Sequence, residues 1–216
     1  MKKLLATLIS LSVMAGSAFA RGMYNGDVQL HLGTGMDSLY EENESTTDFK
    51  SNTFDFDVAS WHLFSLNDLF SVGFMVAFNG GVGATKDITK SGVTVRESGL
   101  ALHFNGLIGP AVGFTFGNIS ALNISAGLAF GATGFGYKIP GASTKYASFS
   151  AGGVGFGTEI NAKFFPKSKV SPLVGFKFSV LGTNEYEGNL GGTTEKIEKK
   201  ATIYNTEYFA GIAFNF

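Results

Sequence analysis

Large apolar residues occupy every second position along much of this chain, with small or polar residues between them. One such run contains Phe70, Val72, Phe74, Val76 and Phe78, and similar runs recur at even-numbered positions up to the last residues. A period of two is typical of β-strands, because successive side chains of a strand point to opposite faces of the sheet. The pattern therefore predicts an all-β fold in which each strand has one apolar face.

About eight strands are predicted from the alternating segments and the polar stretches that separate them. They cover residues 27–36, 53–64, 69–79, 98–116, 121–137, 148–164, 172–182 and 202–216. The fourth contains Gly109–Pro110, a pair that often marks a turn, and a ten-stranded alternative would break the chain there. A single strand with a kink or a bulge is preferred, because the alternation is unchanged from Phe104 to Val112.

The connections between these strands alternate strictly in length. Short ones at 65–68, 117–120 and 165–171 alternate with longer polar ones at Asp37–Asn52, Gly80–Glu97, Lys138–Ala147 and Thr183–Ala201. Membrane β-barrels have short periplasmic turns at one end and long extracellular loops at the other. A narrow eight-stranded lumen has room for glycine, serine and asparagine but not for a phenylalanine from every strand. The sequence thus predicts a single antiparallel transmembrane barrel with its apolar face toward lipid.

The N-terminus has the composition of a cleavable export signal. Lys2 and Lys3 precede an apolar run from Leu4 to Met14, and a small-residue segment ends at Ala18-Phe19-Ala20. The run is shorter than the roughly 20 residues that a membrane-spanning helix needs. We expect cleavage after Ala20, which leaves residues 21–216 as the outer-membrane barrel.

Charge and composition exclude several classes of function. The formal net charge is −1, and loss of Lys2 and Lys3 would make it more acidic, so the chain lacks the basic surface that nucleic acids require. The chain has no cysteine, which excludes disulfides and thiolate metal sites. Its 30 glycines and 22 phenylalanines, against 4 prolines, fit a many-stranded fold with a small-residue face.

Alternation also predicts which charged residues face the lumen. They are Glu159, Lys177, Lys163, Asp55, Asp57, His31 and His103. Glu159 and Lys177 lie at equal distances from the centre of the 165–171 turn, so a symmetric hairpin places them opposite each other, with Cβ atoms about 4.5–5.5 Å apart. We therefore predict a salt bridge or a short charged network that fills a narrow lumen and prevents open-porin conductance.

The C-terminal strand carries the resemblance to a known family. Its residues Tyr208, Ala210, Ile212, Phe214 and Phe216 alternate with small or polar residues, which resembles the terminal strand that the barrel assembly machinery recognises. In strand count and layout the whole chain resembles the small bacterial outer-membrane barrels of the OmpX, OmpW and OmpA transmembrane-domain type. The resemblance implies an outer-membrane location. The assembly signal would be Tyr208, Ile212, Phe214 and Phe216, and the expected partners are membrane lipid and the assembly machinery, with the barrel as a monomer.

Catalytic and metal-binding signatures are weak. No His-x-Ser or HExxH spacing accompanies the three histidines, of which His62 lies beside Trp61 near a short turn. The first long loop is acidic through Asp37, Glu41, Glu42, Glu44 and Asp48, but the spacing differs from a calcium-binding EF-hand loop, which favours a solvated surface. The sequence thus predicts no cofactor, no metal and no enzymatic activity.

Three functional hypotheses follow from the sequence. The preferred one is a non-enzymatic, surface-exposed scaffold that supports envelope integrity or contacts a surface ligand through its long loops. The alternative is a narrow conduit for small or hydrophobic solutes. The third is a lipid-modifying enzyme, whose catalytic residues would have to lie on the outer surface or at a loop rim. Fold alone does not decide between them.

Overall fold

The barrel wall consists of long antiparallel strands. The computed structural model describes residues 24–41, 49–85, 88–90, 93–95, 99–138, 146–190, 193–198 and 200–216, so the predicted signal peptide lies outside the described residues. The strands are β1 (Tyr24–Glu41), β2 (Phe49–Ser65), β3 (Phe70–Thr85), β4 (Ile88–Lys90), β5 (Val93–Val95), β6 (Leu100–Phe116), β7 (Ser120–Lys138), β8 (Tyr146–Phe164), β9 (Val170–Thr183), β10 (Tyr186–Leu190), β11 (Thr193–Ile197) and β12 (Ala201–Asn215).

Eight of these strands close into a ring. The order around it is β1, β2, β3, β6, β7, β8, β9 and β12, and every adjacent pair is antiparallel. The ring closes where β12 pairs with β1, from Asp27 with Asn215 to Glu41 with Ala201. The predicted eight-stranded antiparallel barrel is confirmed, and the ten-stranded alternative is wrong.

Strand β6 continues through Gly109–Pro110 without a break. On one side, Gly109 pairs with Met75 and Pro110 with Phe74, in an uninterrupted ladder. On the other side, the ladder runs to Ile108 and resumes at Ala111 in the same register. Proline has no N–H to donate, and the ladder between β6 and β7 is interrupted where it lies. A bulge would require an extra residue in one strand, and none is inserted here.

The strands rise further at the loop end than the sequence predicted. Much of the last long loop, Thr183–Ala201, forms the hairpin of β10 and β11, which continues the wall above β9 and β12. Strand β8 pairs with β9 at Val154–Gly182 and then with β10 at Ser150–Glu187, a shift of one residue. This shift moves the inward face from odd to even positions, so that both Leu181 and Tyr186 are buried. The segment between them therefore acts as a bulge.

The two faces of the wall differ sharply in chemistry. Phe54 and Phe56 on β2 are more than half exposed on the outside, whereas Asp55 and Asp57, which alternate with them, are fully buried on the inside. An outward apolar band on every strand is the surface that a membrane barrel presents to lipid. No helix in the described part of the chain is long and apolar enough to cross a membrane.

Gly127 of β7 allows the wall to pack closely beside the gap at Pro110. A Cβ atom there would overlap the carbonyl oxygen of Ile108 and the Cα atom of Gly109, both of which belong to the backbone of β6. On the same strand, a Cβ at Gly134 would meet nothing nearer than the carbonyl oxygen of Phe149, at 3.7 Å. The two glycines therefore differ in what they permit, although both lie in β7.

We predict that Gly127→Ala separates β6 from β7 and lowers the yield of folded barrel severalfold, because backbone atoms cannot move aside as a flexible side chain can. Gly134→Ala is the matched control and should fold as the wild type does. The measurement is the fraction of purified protein that changes gel mobility on boiling. Equal folded fractions in the two variants would contradict the proposed close approach.

The barrel lumen as candidate functional site

Lys177 is the centre of a buried charged cluster in the lumen. Its ammonium donates to Asp57 Oδ2 at 2.5 Å and lies 3.7 Å from both Glu159 Oε2 and Glu207 Oε2. Strand pairing explains the arrangement, because Glu159 on β8 and Glu207 on β12 are the direct partners of Lys177 on its two sides. Asp57 reaches the same ammonium from β2, further around the ring, so the cluster ties distant strands together.

A hydrogen-bonded chain crosses the lumen nearer the short-turn end. Lys163 on β8 donates to Asp27 Oδ2 at 2.5 Å and to Asn215 Oδ1 at 2.9 Å. Gln29 donates to Asp27 at 2.8 Å, and its own amide oxygen accepts from Asn161 at 3.2 Å. These contacts connect β8 to β1 and β12 through side chains alone, and they occupy the cross-section of the barrel.

Two histidines join the polar network at different heights. The His31 ring lies between Asp57 Oδ2, at 3.3 Å, and Gln29 Oε1, at 3.0 Å. His103 Nδ1 lies 2.7 Å from Asp37 Oδ2, while its Nε2 is 3.6 Å from Asp55 Oδ1. Each histidine thus touches a carboxylate on another strand, as expected for polar packing in a narrow lumen.

An apolar layer lies above the network, toward the loop end. The Phe49 ring is 4.7 Å from Phe149 and 5.8 Å from Phe135, and the Phe149 ring is 6.3 Å from Tyr186. Leu39, Leu181, Ile197 and Ile203 belong to the same apolar cluster. Aromatic and aliphatic side chains therefore fill the loop end of the lumen, and further down the polar network lies beside the buried apolar residues Trp61, Met75 and Leu107.

The structure places all seven predicted lumen residues inside the barrel. Glu159, Lys177, Asp57 and His31 lie in one connected cluster, and Asp55 contacts His103. Lys163 pairs with Asp27, away from this cluster. The predicted assembly-signal residues Tyr208, Ile212, Phe214 and Phe216 lie on the outward face of β12 or at its end and are exposed.

Several lumen residues were not predicted from the sequence. Asp37 was assigned to a solvated acidic loop, but it lies within β1 and is 1% exposed, so that assignment is wrong. Asp27 and Glu207 are odd-numbered strand residues that the same alternation rule identifies. Phe49, Phe135 and Phe149 are also odd-numbered, and that departure from the even-numbered phenylalanine pattern signals the apolar layer. Glu42, Glu44 and Asp48 lie outside the described residues.

Acidic groups outnumber basic ones in the described lumen. The buried carboxylates are those of Asp27, Asp37, Asp55, Asp57, Glu159 and Glu207, against the ammonium groups of Lys163 and Lys177. Both oxygens of Asp55 and one oxygen each of Asp57, Glu159 and Glu207 lack a hydrogen-bond partner. Even so, no group of three or more histidine and carboxylate side chains among the described residues has the geometry to hold a metal ion.

A second polar cluster lies on the outward face, near the short-turn end. His62 Nδ1 is 2.5 Å from Tyr24 Oη, and His62 Nε2 is 3.0 Å from Ser60 Oγ. A serine next to a histidine is a nucleophile–base arrangement, but ester hydrolysis also needs donors for the developing oxyanion. Ser60 and His62 lie within the continuous ladders to β1 and β3, where backbone N–H groups are already paired. We therefore interpret the cluster as a polar anchor beside the aromatic residues Phe64 and Phe74.

Comparisons with known proteins identify the fold. No protein-family model and no curated protein sequence matches the chain. The outer membrane protein OprG from Pseudomonas aeruginosa is similar in structure, with a TM-score of 0.53 and 9% identity over 88% of this chain and 96% of that one. A major outer membrane protein from Thermus thermophilus has a TM-score of 0.51 and 10% identity over 88% of this chain and 99% of that one.

The Yersinia pestis attachment invasion locus protein Ail is a more distant neighbour, with a TM-score of 0.44 and 14% identity over 88% of this chain and 99% of that one. The chain has the fold of the small outer-membrane β-barrels. This confirms the fold that the sequence pattern and the resemblance predicted. At such low identity the likeness concerns the fold alone, and the lumen contacts and surfaces have to be interpreted from this chain's own residues.

We predict that Lys177→Met lowers the free energy of unfolding by about 3–5 kcal/mol, because three buried carboxylates then lose their shared cation. Lys169→Met, at an exposed position in the turn before β9, should change it little. Denaturant unfolding in detergent micelles measures both. Adding Glu159→Gln and Glu207→Gln to Lys177→Met should restore part of the loss, and no difference between Lys177→Met and Lys169→Met would contradict the central role of Lys177.

Proposed function

We propose that the protein is an integral outer-membrane barrel that serves as a surface scaffold and does not act as an open pore or as an enzyme. The observation that carries the proposal is the filled lumen. Side chains from β1, β2, β8, β9 and β12 meet in its middle, and the Phe49–Phe149 layer closes its loop end. A barrel filled in this way provides a rigid wall, whereas its outer surfaces remain available for contacts.

The cavities of the lumen support the same proposal. Beneath the network, at the short-turn end, lies a cavity of about 740 Å³ that reaches inward to Asp27 and Lys163. A separate cavity at the level of Lys177 and Glu207 measures only about 20 Å³, which is room for a single water molecule. The wide cavity is therefore a vestibule at the short-turn end, and only a small void lies at the height of the network.

The raised wall at the loop end is the surface through which the scaffold would make contacts. Strands β7 and β8 pair up to Lys138 and Tyr146, and β10 and β11 extend the neighbouring part of the wall. Outside the membrane, Lys196 forms an exposed salt bridge with Glu185 at 2.6 Å, and this carboxylate raises the pKa of Lys196. Exposed pairs of this kind stabilise little, so we assign the hairpin a contact role.

Biogenesis completes the proposal. Residues 1–20 would act as a cleaved export signal, and the outward residues of β12 would present the signal to the assembly machinery. The Phe216 N–H donates to the Gly26 carbonyl at 3.0 Å, and the Gly26 N–H donates back to Phe216 at 3.3 Å. The last residue thus helps to close the seam between β12 and β1. Function as a monomer is consistent with the closed ring of β1, β2, β3, β6, β7, β8, β9 and β12, in which each of these described strands pairs with two neighbours.

Orientation can be tested by surface labelling. We predict that an epitope inserted between Leu190 and Thr193, at the tip of the β10–β11 hairpin, is accessible to antibody on intact cells. The same epitope inserted after Asn118, in the short turn between β6 and β7, should be accessible only after the outer membrane is permeabilised. Flow cytometry provides the readout. The opposite pattern would place the long loops in the periplasm and overturn the scaffold proposal.

Conductance separates the scaffold from the narrow conduit. We predict that the folded protein gives no sustained ion current in a planar lipid bilayer, because the Lys163–Asp27 and Lys177–Asp57 contacts cross the lumen. An open porin in the same bilayer is the positive control. Discrete, reproducible current steps from the wild-type protein would instead support the conduit and would show that the network opens in the membrane.

A further inference from the structure

The outward face of β1, β2 and β12 changes from apolar to polar as the strands approach the loop end. Toward the loop end of β2, the outward residues Phe56 and Phe54 are followed at the next two alternate positions by Asn52 and Lys50. Along β1 the change runs from Leu32 through Met36 to residues 38 and 40. A change of this kind marks the depth at which hydrocarbon meets lipid headgroups. For the proposed orientation, that depth lies in the outer leaflet.

A groove of about 400 Å³ lies at this depth, lined by Met36, Ser38, Tyr40, Tyr204 and Thr206. Ser38 forms its floor and is only 7% exposed, because its small side chain lies between larger neighbours. The Tyr40 and Tyr204 rings meet edge to face, with centroids 5.3 Å apart, and both remain more than one-third exposed. The groove is therefore built by two tyrosines on adjacent strands above a serine floor.

Lys50 borders this groove on the side opposite Tyr204. In the strand register Ser38 pairs with Lys50 of β2 and with Tyr204 of β12, so a cation and an aromatic ring flank the floor residue. The Lys50 ammonium lies 6.0 Å from the centre of the Tyr40 ring. Both the positive charge and the aromatic walls thus face one small area of the outer surface.

We propose that this groove binds the phosphorylated saccharide headgroup of an outer-leaflet glycolipid, an inference that rests on the outer-membrane orientation proposed above. Tyrosine rings offer a flat face to a sugar ring and a hydroxyl group to its oxygens. The lysine ammonium is a point charge suited to a phosphate. Below the groove, Met36 and the apolar band continue directly to Leu32, Phe54 and Tyr208, where acyl chains attached to the headgroup would lie.

The continuity with the band favours a lipid over a free sugar phosphate. A soluble phosphosugar would use the tyrosines and Lys50 but would leave the apolar surface below them uncovered. An ordinary phospholipid would cover that surface and supply a phosphate, but it has no sugar ring for Tyr40 and Tyr204. Only a phosphorylated glycolipid satisfies the cation, the aromatic walls and the apolar surface together.

The test uses the full folded chain in detergent micelles, titrated with bis-phosphorylated lipid A and followed by native mass spectrometry. We expect Lys50→Gln to weaken binding about tenfold, in line with the loss of one charge-assisted contact. Tyr204→Ala should weaken it by a similar factor, and Tyr204→Phe by less, because the ring is kept. Lys169→Gln, in the turn at the opposite end of the barrel, is the matched charge control and should bind as the wild type does.

Dephosphorylated lipid A identifies the group that Lys50 contacts. It should bind more weakly than lipid A and should not distinguish Lys50→Gln from the wild type. Equal affinity of Lys50→Gln and wild type for bis-phosphorylated lipid A would overturn the proposal. The proposal would also be overturned if the wild type bound phosphatidylglycerol, or the phosphorylated disaccharide without acyl chains, as tightly as it binds lipid A. It would likewise be overturned if the wild type formed a dimer that the groove variants abolish, because the groove would then be a contact between two copies of the chain.

Failure of the membrane placement can be recognised separately. The heat-dependent gel shift and insertion into phosphatidylcholine vesicles are measured without any lipid A. If a variant folds and inserts but does not bind lipid A, the result concerns binding at the groove and leaves the membrane placement unchanged. A wild-type chain that neither shifts nor inserts would overturn the outer-membrane proposal itself.

Discussion

The requirement that every backbone N–H and C=O group of the wall be paired determines the rest of the structure. In hydrocarbon no water is available to these groups, so a sheet can span a membrane only when its edges are joined. Pairing of β12 with β1 and of β8 with β9 joins them here. Closure with eight strands gives a narrow lumen, so the large apolar side chains have to face outward and the small and polar ones face inward. The alternation of the sequence is the direct consequence.

A narrow lumen forces its charged side chains into contact. Lys177 touches three carboxylates because its direct partners on β8 and β12 are both acidic and because Asp57 is within reach across the lumen. The wall leaves space for these groups at glycines: at Gly81, an added Cβ would overlap the carboxylate of Asp55. Buried ion pairs are costly to desolvate, so the network is better understood as fixing one arrangement of the strands than as a large source of stability.

Closure and alternation could be predicted from the sequence because both depend on local patterns. The eight strands, the short and long connections and the pairing of Glu159 with Lys177 all follow from parity and from the symmetry of a hairpin. The Lys163–Asp27 and Lys177–Asp57 pairs could not be predicted, since they cross the lumen and depend on how neighbouring strands are staggered. Asp37 was misassigned because β1 extends beyond the outward apolar band, where hydrophobicity no longer marks the end of the strand. The bulge before Tyr186 was missed for the same reason.

The lumen and the outer face differ in how easily a ligand could reach them. Inside, contact between the Phe49 and Phe149 rings closes the loop end, and polar side chains that contact one another across the lumen lie below this layer. Solute recognition there would require breaking several buried contacts at once. Outside, the groove at Ser38 is already open, and its occupant would displace only solvent or lipid. In a barrel that is closed within, the proposed recognition would therefore cost less free energy on the outer wall, where the strand register places Lys50, Ser38 and Tyr204 side by side.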